Sequence, residues 1–193
     1  MSRKATRPAT SREVKQFAAA IRDPSRWRIA GDALAIAAEV LALDLAPIRD
    51  LGKAHTDIQR HWGVHQAWLL LVGLALENYL KAILVAGLAP SELERIERGR
   101  LPSALSSHDL RKLAYGARVD LGGPGADLDR LTVAVTWASR YPGPKDAASL
   151  ESESSESLHG WISDRDLERF PACLSRARAL ADQAGHTYAE SRR

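Results

Sequence analysis

The amino-acid sequence predicts an all-α fold, a single helical-bundle domain of about five main helices. Apolar residues recur at helical spacing along several segments, whereas only one short run alternates like a strand and no second run is present to pair with it. With 45% hydrophobic and 26% charged residues over 193 positions, the composition is ordinary for a globular domain with a substantial core. The single cysteine excludes an intramolecular disulfide and indicates a reducing, cytoplasmic location.

The N-terminal segment is basic but lacks the features of a secretory signal. Residues 1–28 contain eight Lys or Arg and two acids, although the whole chain carries a net charge of only +3. No apolar stretch follows the first basic residues, and the most apolar run, residues 67–76, is too short to cross a bilayer as a helix. We therefore expect no membrane contact. The basic segment is interpreted either as a solvated tail and helix or as a contact for nucleic-acid phosphates.

Two helices are predicted before the central one. Residues 1–10 show no periodicity and are expected to form a disordered basic tail. A short helix is predicted over residues 11–22, until Asp23-Pro24 interrupts it, and a second over residues 25–45, where alanines and leucines recur with the period of a helix. The central helix, predicted over residues 57–86, is apolar around almost its whole circumference, which is typical of a helix enclosed by others.

The second half of the chain is predicted to hold the remaining helices and one long loop. Helices are expected over 90–99, from 108 to about 118, over 127–140 and over 163–184. Ser106 and Asp109 have the spacing of a capping box for the second of these. The acidic, serine-rich stretch at 146–160 is predicted to be an exposed loop of a domain that spans residues 11–187, followed by a tail at 188–193.

Glu77 and Lys81 are charged residues on the most apolar helix. They are four residues apart with the acid first, which is the spacing of an ion pair within a helix. Burying charges costs several kcal/mol unless they are paired, so their presence here requires an explanation. Two interpretations stand side by side: a functional pair, for which both are candidate catalytic residues, or a pair at the edge of the core with Lys81 reaching solvent.

His108 and Asp109 precede a predicted helix. The positive end of a helix dipole favours a neutral imidazole, which can accept a proton, so His108 is a candidate catalytic residue. Backbone N–H groups at the same helix end can hold a phosphate, which makes Asp109 a candidate binding position. The alternative is that Asp109 only caps the helix and His108 only packs.

Arg140 and Tyr141 close the helix predicted over 127–140. An arginine held by the rigid Tyr141-Pro142 corner can direct its guanidinium into a cleft, so Arg140 is a candidate catalytic residue and Tyr141 a candidate binding residue. Arg140 can equally neutralise the carbonyl groups at the helix end. Trp137, one turn earlier, is either a core residue or a stacking platform for a ligand.

No metal or cofactor site is predicted. His61 and His65 have a spacing that can share a metal ion, but no third ligand accompanies them. Cys173 has no neighbouring base in the sequence and is interpreted as a core residue. The glycine-rich and serine-centred motifs of nucleotide-binding proteins and hydrolases do not occur.

Three stretches of the chain together resemble HEPN-domain proteins. They read LALENYLKA at 74–82, SHDLRKL at 107–113 and WASRYPGP at 137–144. Their order and spacing are similar to a branch of this family that has an E-x3-K helix, an HDL helix start and a W-x2-RYP corner. The resemblance covers about residues 60–145, and more loosely 25–185.

The resemblance implies a HEPN-like helical bundle that forms a homodimer. Many such domains are metal-independent ribonucleases of toxin–antitoxin, CRISPR and anti-phage systems, and others are noncatalytic partners of nucleotidyltransferases or bind nucleotides. It therefore implies RNA, a nucleotide, or a nucleotidyltransferase or other protein as the partner. The nuclease signature Arg-x4-6-His is absent, because the histidine that follows Arg140 is His159, and Arg100 and His108 are separated by seven residues.

The leading hypothesis is a noncatalytic HEPN-like protein of a bacterial defence or toxin–antitoxin system that binds a nucleotide, nucleic acid or partner protein. The first alternative is a ribonuclease toxin with a nonstandard site, in which His108 is the general base or acid and Arg140 holds the phosphate, provided that Glu77 and Lys81 converge with them. The second alternative is a structural dimeric bundle in which the same residues only fix packing.

Overall fold

A computed structural model describes residues 9–45, 55–122, 125–138 and 164–191 of the chain. Every regular element in these ranges is helical, which confirms the all-α prediction. The helices are α1 (Ser11–Ile21), α2 (Pro24–Ala42), α3 (His55–Ala86), α4 (Pro90–Glu97), α5 (Ser103–Ser106), α6 (Leu110–Ala117), α7 (Gly125–Val133), which continues into a π-helical segment (Ala134–Ala138), and α8 (Asp164–Glu190).

Local sequence signals determine where the first two helices begin. Thr10 caps α1 through a capping box, since its hydroxyl accepts from the Glu13 N–H and the Glu13 carboxylate accepts from the Thr10 N–H. Asp23 caps α2 and accepts from the Ser25 N–H at 3.0 Å, with Pro24 in the first turn. The break between α1 and α2 therefore lies where the sequence predicts it.

Helix α3 lies at the centre of the bundle and contacts α2, α6, the π-helical segment and α8. Trp68, Leu76 and Leu80 are fully buried on it, and the Trp68 ring packs against Phe170 of α8 with 5.7 Å between ring centroids. Its residues Trp62–Ala86 are long and apolar enough to span a membrane, but 61% of the most apolar window is buried inside the protein. Neighbouring helices thus cover most of the surface of this segment.

A polar network centred on Asp32 joins α2, α3 and α8. The carboxylate accepts from the Tyr79 hydroxyl at 2.9 Å and forms ion pairs with Arg28 and Arg178. Burial first, and then the Asp32 carboxylate, raise the pKa of Tyr79 above its ordinary value. Below the tyrosine ring, Gly31 brings the α2 backbone close to α3, because a Cβ atom there would lie only 2.7 Å from the ring.

Helices α6, α7 and α8 are connected by two further contacts. Arg130 of α7 donates two hydrogen bonds, at 3.0 and 3.1 Å, to the buried carboxylate of Asp166 in α8. The hydroxyl of Thr132 accepts from the Leu110 N–H at 3.0 Å, and so fixes the start of α6 against α7. These contacts determine where residues 107–110 lie relative to α3.

Several predicted boundaries differ from the structure. The capping-box prediction was wrong, because Asp109 itself caps α6 while the Ser106 hydroxyl donates to the Ser103 carbonyl at the end of α5. The last helix continues to Glu190, beyond the predicted end at 184 and into the predicted tail. The π-helical segment was not predicted, since its sequence is compatible with an ordinary helix. The expected tail at residues 1–8 and the loop at 146–160 lie outside the described residues.

The close approach at Gly31 gives a stability prediction. We expect Gly31→Ala to lower the free energy of unfolding by about 1–3 kcal/mol, because the methyl group overlaps a tyrosine ring that its hydrogen bond to Asp32 holds in place. The control is Gly63→Ala in α3, where a Cβ atom meets nothing within 4 Å and the gain in helix propensity is up to about 1 kcal/mol. Denaturant unfolding measures the free energy of unfolding of both variants. Equal changes in the two would contradict the close approach of Gly31 to the Tyr79 ring.

Candidate functional site

The structure brings Glu77, Lys81 and His108 together. The Lys81 ammonium donates to Glu77 Oε1 at 2.6 Å, and His108 Nδ1 lies 3.1 Å from Oε1 and 3.0 Å from Oε2 of the same carboxylate. Glu77 and Lys81 are one turn apart on α3, while His108 comes from the short segment before α6. One carboxylate therefore joins a lysine and a histidine that are distant from each other in sequence.

Burial divides this group into an inner pair and an outer imidazole. The Lys81 and Glu77 side chains are only 5% and 7% exposed, whereas the His108 side chain is 59% exposed. The interpretation in which Lys81 reaches solvent from the edge of the core was wrong, because its ammonium stays inside, 5.6 Å from the centroid of the Trp27 ring. The aromatic face and the carboxylate together compensate the buried cation.

His108 presents one ring nitrogen to the protein and leaves the other available. In the neutral imidazole, Nδ1 carries the proton and donates it to Glu77, so that Nε2 keeps its lone pair. Nε2 has no hydrogen-bond partner in the part of the chain that the structure describes. A carboxylate that orients a histidine in this way fixes its tautomer and stabilises the imidazolium that forms when Nε2 takes up a proton.

The start of α6 holds His108 in place but offers little to an anion. The Asp109 N–H donates to Ser107, the Leu110 N–H to Thr132, and the Lys112 N–H to the Asp109 carboxylate at 2.9 Å. These contacts already occupy N–H groups that the sequence offered as donors to a phosphate. Asp109 therefore acts as the helix cap.

The Asp109 carboxylate has a pKa below its ordinary value. Burial would raise its pKa, but the backbone and side-chain hydrogen bonds from Lys112, the charge of Lys112 and the Arg111 N–H hold it below the ordinary value. The cap therefore stays ionised at neutral pH. Its negative charge lies beside the positive end of the α6 dipole, which stabilises the helix start that carries His108.

The other predicted site residues fall largely outside the description. Arg140 and Tyr141 are not among the described residues, and the side chain of Trp137, in the π-helical segment, is not described either. His65 is buried between the rings of Trp62 and Trp68, with centroids 6.1 and 6.4 Å away. Across the described ranges, no group of three or more His, Cys, Asp or Glu is arranged to hold a metal ion.

Two residues that support the site were not recognised in the sequence. Trp27 lies beside the Lys81 ammonium, and Thr132 fixes the helix start that carries His108. Trp27 is separated from Lys81, and Thr132 from His108, by long stretches of chain. No local pattern marks either contact, because both depend on how α2 and α7 pack against the rest of the bundle.

The fold and the site together define an all-α protein in which a buried ion pair orients an exposed histidine. Comparison with protein-family models, with curated proteins and with solved structures finds no match to the chain. The geometry of the described residues is therefore the basis on which a function can be assigned.

The buried pair gives a prediction about stability. We expect Lys81→Met to lower the free energy of unfolding by about 3–5 kcal/mol, because it leaves the Glu77 carboxylate buried without its cation. The double variant Glu77→Leu/Lys81→Met removes both charges and is expected to recover most of that loss. Denaturant unfolding at neutral pH measures both variants. If the double variant loses more unfolding free energy than Lys81→Met alone, the two side chains do not stabilise each other.

Proposed function

We propose that the chain is a HEPN-like helical domain of a bacterial defence or toxin–antitoxin system, and that it binds RNA or a nucleotide at the face that carries His108. The observation that carries this proposal is the contact between the exposed imidazole and the buried Glu77–Lys81 pair. The motifs that resemble the family, E-x3-K and HDL, contribute the three residues of this contact.

Energetics support a functional role for the pair. A buried ion pair stabilises a fold little more than a well-packed apolar pair of the same volume, so stability alone gives weak reason to keep it. The buried carboxylate instead orients the exposed His108 ring, whose Nε2 can donate to a phosphate when protonated. In this proposal the Glu77–Lys81 pair holds His108 in the orientation in which it contacts the ligand.

Cationic side chains on α6 extend this face. Arg111 and Lys112 are 56% and 80% exposed, and each forms an ion pair with a single carboxylate, Asp129 or Asp109. Exposed ion pairs contribute only about 0–1 kcal/mol, so a phosphate can compete for these cations at small cost. Binding is therefore expected to weaken as the salt concentration rises.

The same contact favours a second function, metal-independent cleavage of the bound RNA. His108 Nε2 would accept the proton of a ribose 2′-hydroxyl, whose oxygen attacks phosphorus and displaces the 5′-oxygen, which takes up a proton from water. Glu77 would stabilise the imidazolium. Arg140, as the holder of the phosphate, belongs to this proposal on the strength of the family resemblance alone.

RNA binding and cleavage can be measured on the same variants. We expect labelled RNA to bind the purified protein in the presence of EDTA, and His108→Ala to weaken binding, as measured by fluorescence anisotropy. If the protein also cleaves RNA, His108→Ala is expected to slow cleavage about 10²–10⁴-fold, because it removes the proton acceptor. Arg140→Ala tests the phosphate holder in the same assay.

The matched control is His186→Ala, which removes an exposed histidine whose Nδ1 contacts the Asp182 carbonyl in α8. This variant is expected to behave like the wild type. Binding without cleavage would support the noncatalytic proposal and reject the nuclease. A folded wild-type protein that neither binds nor cleaves RNA or nucleotides would overturn both and favour a structural role.

We also propose that the protein forms a homodimer through an exposed apolar stripe on α2. The stripe consists of Ile29, Ala33, Ile36, Val40 and Leu43, spaced by four and three residues in turn. Its four large side chains are 57–87% exposed. This spacing is that of the contact positions in a pair of packed helices, so the stripe is complementary to a second copy of itself.

The charges at the ends of the stripe support antiparallel pairing of the two copies. Arg26 lies at the start of α2 and Asp44 just past its end, and both are exposed. Antiparallel pairing brings the Arg26 end of one copy to the Asp44 end of the other, so that opposite charges meet twice. The small side chain of Ala33 lets the two helices approach closely near the middle.

The stripe gives a prediction about assembly. We expect the wild type to be a dimer and Ile36→Asp to be a folded monomer, because the carboxylate would be buried without a partner at the centre of the helix pair. Light scattering coupled to gel filtration measures the mass. The control is Glu39→Gln, which changes charge outside the stripe. A monomeric wild-type protein at high micromolar concentration would rule out this dimer.

A further inference from the structure

A cleft of about 470 Å³ opens between α6, α7 and α8, and neither His108 nor Glu77 lines it. Its volume lies within the range that holds small organic ligands in proteins. Apolar side chains form much of its wall: Ala114, Leu121, Leu128, Leu131, Phe170 and Ala172. Leu131 and Phe170 are core residues with 1% exposure, so the floor of the cleft is a firm part of the bundle.

Three arginines, Arg111, Arg169 and Arg176, line the same cleft. Two of them are paired, Arg111 with Asp129 and Arg169 with Asp127, both at 2.6 Å. Arg176 has no ion-pair partner within the described part of the chain. The cleft therefore combines an apolar wall with one guanidinium group that forms no ion pair with a described residue, while the carboxylates of Asp120 and Asp127 also line it.

Glycines next to the cleft accommodate two of these guanidinium groups. A Cβ atom on Gly122 would lie 3.0 Å from Arg176 Nη1, so the arginine head packs directly against that backbone. A Cβ atom on Gly125 would likewise overlap the guanidinium of Arg111. Gly122 also has a φ of +74°, a conformation that glycine adopts without strain. The backbone thus holds both arginine heads beside the apolar wall.

We propose that this cleft binds an amphiphilic organic carboxylate, with its apolar body against the leucines and Phe170 and its carboxylate on Arg176. A planar guanidinium matches a carboxylate through two parallel hydrogen bonds, and such charge-assisted bonds are about twice as strong as neutral ones. A neutral amphiphile of the same length leaves Arg176 without an anion. This cleft shares Arg111 with the proposed RNA-binding face, but Arg176, on which the proposal depends, belongs to α8, and neither His108 nor Glu77 lines the cleft.

The alkylation rate of Cys173 can report whether a ligand occupies the cleft, because this residue lines the cleft and is the only cysteine in the chain. Burial, with the nearby Asp127 carboxylate, raises the pKa of its thiol to about 11, although Arg176 acts in the opposite direction. The thiol is therefore largely protonated near pH 8, and its alkylation is slow enough to follow by mass spectrometry. A ligand in the cleft is expected to slow it further.

The test uses decanoate, kept below its micelle concentration, with decanol and acetate as comparisons. Calorimetry on the wild type is expected to show decanoate bound at least about tenfold more tightly than decanol, and acetate not bound. Arg176→Gln is expected to remove the preference for the carboxylate over the alcohol. Leu128→Trp, which fills the apolar side, is expected to weaken decanoate and decanol alike. Decanoate is also expected to slow alkylation of Cys173.

The control is Arg98→Gln, which removes an exposed arginine from α4 and is expected to leave decanoate binding unchanged. His108→Ala is also expected to bind decanoate normally, so a failure of the RNA assay does not affect this result. Decanol that binds as tightly as decanoate, or an Arg176→Gln protein with wild-type preference, would overturn the proposal. Absence of decanoate binding to the folded wild type would overturn it as well.

Discussion

From residue 67 onward, helix α3 is apolar around almost its whole circumference, and this constraint governs how the other helices pack against it. A helix with one apolar stripe needs one neighbour, but α3 must be covered all round, and α2, α6, the π-helical segment and α8 together supply that cover. Because these helices come from both ends of the sequence, the chain forms one core. Glu77 and Lys81 lie beneath this cover, whereas His108, just before α6, lies at its surface.

The Glu77–Lys81 pair is the exception within this apolar helix, and its surroundings reduce its cost. The two charges neutralise each other one turn apart, and Trp27 presents an aromatic face to the lysine. His108 then donates a hydrogen bond from Nδ1 to the buried carboxylate and so extends the network to the surface. The arrangement converts a costly buried charge into control over the orientation of one exposed side chain.

The sequence was sufficient to predict what depends on neighbouring residues. Asp23-Pro24 marks the start of α2 and the all-round apolar pattern marks α3, because caps and periodicity are local properties. The meeting of Glu77 with His108 entered the sequence analysis only as a condition of the ribonuclease alternative, since no pattern in the residues places two separate helices side by side. The Arg176 cleft had no signal in the sequence, because its wall combines residues of three helices that the chain brings together only on folding.

The start of α6 shows the same limit. Asp109 and Ser106 both qualify as helix caps by residue type, and the choice between them depends on Thr132 binding the Leu110 N–H from another helix. The π-helical segment is a similar case, since its sequence, AVTWA, is compatible with an ordinary helix. In both places tertiary contacts decide between conformations that the local sequence permits about equally.

The 31-residue separation between Glu77 and His108 has a consequence for synthesis of the chain. A ribosome completes α3, with its charged pair, well before it makes the segment that carries the histidine. Until α6 docks, the imidazole has no carboxylate to fix its tautomer. The contact between His108 and Glu77 therefore forms only when α6 packs against α3, and an unfinished chain can carry both residues without this contact.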